Sequence, residues 1–150
     1  MPREMRYELH MRAAIAEATV AREVGEQADG AVAVLGEAMV ARGHCQVAGS
    51  GDPTAHAVIV ALREAARRLG RSSLSGLTVF AVVEPCAMCV GALLQSDADG
   101  IVYALADQAE GACGSAVQVA DAPGLARHLR VYRLPFHGHK KPLQSILSAN

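Results

Sequence analysis

Two short stretches hold the residue types that can do chemistry. Asp52-Pro53-Thr54-Ala55-His56 offers an imidazole at the opening of an apolar run, and Glu84-Pro85-Cys86-Ala87-Met88-Cys89 offers two thiols three residues apart. That spacing puts Cys86 and Cys89 on one face of a first helical turn. Asp52 is expected to be an N-cap with Pro53 at the first helical position, which sets His56 in the opening turn of another helix. One His and two Cys form a three-donor zinc set that leaves the fourth coordination position open, as a catalytic zinc requires. The bland alternative is a helix-terminus histidine and two packed cysteines.

These residues carry a resemblance. His56-Ala57 followed by Pro85-Cys86-Ala87-Met88-Cys89 resembles the H-x-E…P-C-x-x-C signature of the zinc-dependent nucleobase and nucleoside deaminases. Asp52-Pro53-Thr54-Ala55-His56-Ala57, with Ala61-Leu62-Arg63-Glu64-Ala65 after it, is similar to the tRNA adenosine deaminase and guanine deaminase branch. The resemblance implies a three-layer α/β/α cytidine-deaminase-like fold, Zn2+ on His56, Cys86 and Cys89, and a homodimer. It also implies a pocket for a flat heterocyclic base or nucleoside, with Ala57 at the substrate. In such enzymes zinc activates water for attack on the amino-bearing carbon, and a glutamate carries the protons. Here that glutamate position holds Val58, and the position of a base-contacting Asn holds Cys45.

Val58 cannot move a proton. General acid–base catalysis is worth about 10²–10⁴-fold, so the expectation is a zinc-binding deaminase homologue, inactive or strongly impaired as it stands. Val58 reads equally well as a packing residue beside Leu62. Three explanations compete: natural loss of the shuttle, its removal by mutagenesis, or another group taking over its work. Glu84 reads as a structural acceptor, Glu64 is too far along its helix, Asp52 is committed to its cap, and Glu110 reaches the site only if its loop folds over it. Cys45 has three readings: a buried thiol, a fourth sulfur ligand that shuts the zinc site, or an ionised nucleophile beside the metal. Cys113 reads as loop packing. A different class of function is a non-catalytic partner, because the resemblance includes a valine-bearing subunit that supports an active deaminase in a heterodimer.

The elements that must position these groups follow from periodicity. Met5, Leu9, Ala13, Ala16, Val20 and Val24 recur at helical spacing and predict one face of an N-terminal helix ending near Gly25. Asp29-Gly30 leads into a buried strand at 31–35, which pairs as a hairpin with a second strand around 38–41. The glycine-containing segment 43–51 is expected to be loop. The helix with His56 runs to Leu69, with Val58, Leu62, Ala65 and Leu69 on one face and Gly70 just past its end. The nearly continuous apolar run 77–83 is a central strand covered on both faces, and it delivers the cysteines at its carboxyl end, where open α/β sheets bind ligands. A helix to about Ser96 and a strand at 101–105 complete a right-handed crossover. Residues 117–127 are weakly helical by pattern, and 129–133 predict an edge strand. The expected architecture is one α/β domain over 1–150 with a mixed sheet of about five strands, and residues 134–150 depart from the family's usual C-terminal helix.

Composition limits the partners. The chain has 150 residues, is 51% hydrophobic and carries a formal net charge of −1. That suits a single domain with a real core and argues against a broad electrostatic footprint for nucleic acid. The basic tail residues Arg133, His137, His139, Lys140 and Lys141 leave tRNA as a weakly supported partner. No membrane span or signal-peptide pattern is visible, so a cytoplasmic location is expected, where four cysteines favour thiols or metal ligands over disulfides.

Overall fold

The computed structural model describes residues 2–135. The tail groups His137, His139, Lys140 and Lys141 therefore lie outside the described residues. The elements in chain order are α1 (Arg3–Glu23), β1 (Gly30–Leu35), β2 (Ala38–His44), α2 (Val47–Ser50), α3 (Ala57–Leu69), β3 (Leu77–Val83), α4 (Ala87–Gln95), β4 (Gly100–Leu105) and β5 (Arg130–Arg133). They build a five-stranded mixed sheet of order β2-β1-β3-β4-β5. β1 runs antiparallel to β2 and β3, while β3, β4 and β5 are mutually parallel. The hairpin, the parallel crossover through α4 and the edge strand all match the pattern in the sequence.

Strand alternation divides the core into two layers. Ala31, Ala33, Leu77, Val79, Ala81, Ile101 and Tyr103 point to the face covered by α3 and α4. Val32, Val34, Phe80, Val82, Val102 and Ala104 point to the opposite face, against α1. This is the expected α/β/α sandwich.

Three local expectations are corrected. α1 buries Met11, Ala14, Ile15, Ala18 and Ala21, whereas Met5, Leu9, Val20 and Val24 are exposed. Small alanines let the helix lie close to the sheet, and that close packing outweighed side-chain size. Segment 43–51 is not all loop: β2 extends through His44, and α2 forms one short turn. Residues 117–127 form no helix, because their backbone groups bond to the preceding loop instead. Val117 N–H reaches the Gly111 carbonyl at 3.1 Å, and Val119 N–H reaches that of Ala112 at 2.9 Å.

One close approach fixes where α3 starts. A Cβ on Gly43 of β2 would stand 2.8 Å from the Ala61 nitrogen and 2.9 Å from the Ala57 carbonyl oxygen, so only a glycine lets the first turns of α3 rest on the sheet. Gly43→Ala is expected to cost about 1–3 kcal/mol through the forced shift of that helix. Urea unfolding checks this, and an unchanged midpoint would show that α3 slides freely.

Candidate metal centre

His56 and Cys86 occupy equivalent places in the two halves of the site. Each is the extended N-cap of its helix, His56 at φ −68, ψ 156 ahead of α3 and Cys86 at φ −75, ψ 174 ahead of α4. Cys89 follows three residues later on the same face of the first turn. His56 therefore precedes its helix rather than lying inside it. Asp52 does not cap α3; its Oδ1 accepts the Thr54 N–H at 2.9 Å and the Thr54 hydroxyl at 2.7 Å, and it pairs with Arg63 at 3.2 Å. The small turn at 52–55 consumes the carboxylate that the sequence assigned to the helix.

The donor atoms of His56, Cys86 and Cys89 all lie within 4.8 Å of one another. Both sulfurs stand 3.5 Å from His56 Nδ1. Tetrahedral zinc with Zn–S of about 2.3 Å and Zn–N of about 2.0–2.1 Å separates sulfur and nitrogen by roughly 3.5 Å, so this spacing fits the ion. The Cys86 thiol is pulled down to about 5, first by its hydrogen bond with Cys89 and further by His56. Cys89 is pushed up by the same bond and by burial. Metal binding requires both as thiolates, and one of them is already close to that state at neutral pH.

The three donors open into a cavity of about 470 Å³ whose wall includes Asp29, Val58, Glu84, Asp107 and Glu110. That volume suits a small heterocyclic ligand. Val58, 1% exposed, is packed into the core and also meets the cavity. Glu110 does reach the rim, since its loop folds over the site. Glu84 is fully engaged as an acceptor: Asp107, Cys113 and Ser115 give it backbone N–H bonds of 3.2, 2.9 and 3.2 Å, and the Ser115 hydroxyl adds another. Burial works to raise its pKa, but these four donors outweigh it and hold the carboxyl below its ordinary value.

Two positions implied by the resemblance do not reach this wall. Cys45 is buried with its Sγ donating to Glu26 Oε2 at 3.7 Å, and it is not among the clustered metal donors. Glu26 also accepts the Ala48 and Gly49 N–H groups at 3.0 and 2.6 Å, so the thiol helps to fasten the α2 turn rather than close the metal site. Ala57 is fully buried and absent from the cavity lining. Glu64 is tied to Arg67 and Arg68 on the outer face of α3.

Sequence reasoning missed Asp29. It sits just before β1, where Asp-Gly reads as a turn. The register that pairs Ala31 with Ala81 carries Asp29 opposite Val83, next to the cysteine motif. Its Oδ1 accepts the Gly30 N–H at 3.0 Å, and the Val83 N–H also draws on the carboxyl. Burial lifts its pKa to about 7, against the pull of those N–H groups and of His56. Antiparallel pairing with a strand that ends at a metal motif was the available signal.

A mixed sheet that offers one imidazole and two thiols from paired helix openings to a small cavity has the fold and donor set of a zinc-binding deaminase domain. Residues 5–105 match the cytidine and deoxycytidylate deaminase zinc-binding region, and the chain belongs to that family. It is 33% identical over 123 residues to the tRNA-specific adenosine deaminase of Aquifex aeolicus, covering 82% of each chain. It is also 33% identical over 120 residues to the guanine deaminase of Bacillus subtilis, covering 77% of each. Among solved structures, a chain from a study of A-to-I editing by tRNA:A34 deaminases superposes with a TM-score of 0.81 at 33% identity, over 83% of this chain and 91% of that one. No helix among the described residues is long and apolar enough to cross a membrane.

Proposed function

We propose that this chain is a zinc-dependent hydrolase of the deaminase type whose pocket takes an amino-bearing flat heterocycle, and that proton transfer by the family's usual route is blocked at Val58. The observation that carries this reading is the His56–Cys86–Cys89 cluster opening into a cavity of about 470 Å³. Bound there, zinc would supply an activated water. The chain's own residues would hold the ion, shape a pocket too small for a folded macromolecule, and leave an apolar side chain on the family's usual proton route. Turnover is therefore strongly impaired rather than tuned.

The relatives named above are an adenosine deaminase specific for tRNA and a guanine deaminase, so both a base within tRNA and a free base belong among the substrates to be tried. A cytoplasmic homodimer is the working assembly. Metal analysis should give one zinc per chain. A panel of adenine, guanine, cytosine, their nucleosides and a tRNA anticodon stem should then release ammonia slowly with this protein and much faster with Val58→Glu. Absence of bound zinc, or no turnover by either protein, would reject the reading.

The close packing of Val58 favours one further possibility, a non-catalytic subunit beside an active deaminase. Stable mixed assembly with an active relative, together with a rise in that relative's activity, supports it; self-association alone does not.

A further inference from the structure

The cavity holds four carboxyl groups besides the metal donors, and three are accounted for. Glu84 is saturated by donors. Asp107 Oδ1 caps its own turn through the Ala109 and Glu110 N–H groups at 3.0 and 3.2 Å, and Glu110 is exposed at the rim. Asp29 remains.

We propose that Asp29 is the catalytic carboxylate of this chain and carries the protons that residue 58 cannot; this rests on the deaminase reading above. Strand alternation argues for it first. Asp29 shares the parity of Ala31 and Ala33, which face α3 and α4, so its side chain projects to the layer that holds all three metal donors. Register argues second. Asp29 lies level with Val83 on one side, and on the other its carbonyl accepts the Cys45 N–H at 3.2 Å, which places it between the central strand and the position where the family has its Asn. It shares the cavity wall with His56, Cys86, Cys89 and Val58. The backbone N–H of Gly30 holds the carboxyl at 3.0 Å, as a proton carrier needs for a fixed path.

The chemistry balances without any further reagent. As a water oxygen bonds to the amino-bearing carbon, Asp29 takes one proton from that water and passes it to the adjacent ring nitrogen. It then takes the remaining hydroxyl proton and delivers it to the departing amino group; the C–N bond breaks, ammonia leaves, and a ring carbonyl remains. Asp29 ends in the state in which it began.

The test compares Asp29→Asn, Asp29→Glu, Val58→Glu and the double variant Val58→Glu/Asp29→Asn, all zinc-loaded, on the ammonia panel. Asp29→Asn should lower kcat at least about 10²-fold with little change in KM. Asp29→Glu should retain part of the activity, and the double variant should turn over as Val58→Glu does. A second readout is independent of turnover. In protein labelled with ¹³C at aspartate carboxyls, the Asp29 resonance, identified by its loss in Asp29→Asn, should move when hypoxanthine, xanthine or uracil binds. A bound lactam that leaves that resonance in place, or an Asp29→Asn kcat close to that of the unsubstituted chain, overturns the proposal. Turnover confined to the variants that contain Val58→Glu overturns it too, while leaving the deaminase reading intact. No zinc uptake with no turnover in any variant ends both.

Discussion

Zinc-loaded Val58→Glu is expected to release ammonia from at least one panel compound about 10²–10⁴-fold faster than the unsubstituted chain, the usual worth of a positioned acid–base group. The position is already correct. Residue 58 lies in the first turn of α3, two residues after His56, and its side chain lines the cavity. The obstacle is desolvation. Val58 is 1% exposed and belongs to the core that also contains Leu62, Cys89 and Val90, and an unpaired carboxylate there costs several kcal/mol. Metal-free Val58→Glu should therefore melt well below the unsubstituted protein, and zinc should narrow the gap because a cation beside the new carboxylate stabilises its charge. Differential scanning calorimetry with and without zinc reads the first effect, and coupled ammonia assays read the rate. A zinc-loaded Val58→Glu protein that melts normally yet turns over no faster would show that this position no longer governs the reaction.

The clustering of His56, Cys86 and Cys89 was legible from the sequence because it depends on residue type and short-range spacing, and because the crossover that joins the two motifs is a pattern of continuous apolar strand, helix and strand. The buried face of α1 was not. Periodicity marks large side chains, and Met5, Leu9, Val20 and Val24 drew attention away from Ala14, Ala18 and Ala21, whose small size is what the close packing needs. Asp52 misled for a related reason. A residue that caps helices also makes short Asx turns, and only the structure shows that Thr54 takes its oxygens. Counting positions found where Cys45 stands in the chain but not where its sulfur points. Asp29 became visible only through strand register, since its nearest motif, at 84–89, is remote along the chain.

Glu84→Ala is expected to cost about 3–5 kcal/mol, the range for breaking a buried network whose remaining donors have no partner. Glu84 is 2% exposed, and every group bonded to its carboxylate is a donor: three backbone N–H groups and the Ser115 hydroxyl. Removing the acceptor strands all of them together. Glu84→Gln should also destabilise the protein, because its amide NH₂ would face N–H groups that cannot turn away. The loss should reach the metal as well. The loop that Glu84 holds supplies Asp107 and Glu110 to the cavity, and the Ala112 N–H bonds to the Pro85 carbonyl at 2.9 Å, one residue before Cys86. Weaker zinc retention in a chelator competition should therefore accompany the lower melting temperature. The acid limb of the stability curve gives an independent check. The Glu84 pKa is lowered in the folded protein, so its contribution is complete above the ordinary glutamate range of about 4.3. It is lost as pH falls through the folded value. Glu84→Gln should flatten that limb. A variant that keeps both the full acid dependence and the zinc affinity would show that the carboxylate merely occupies space at the junction.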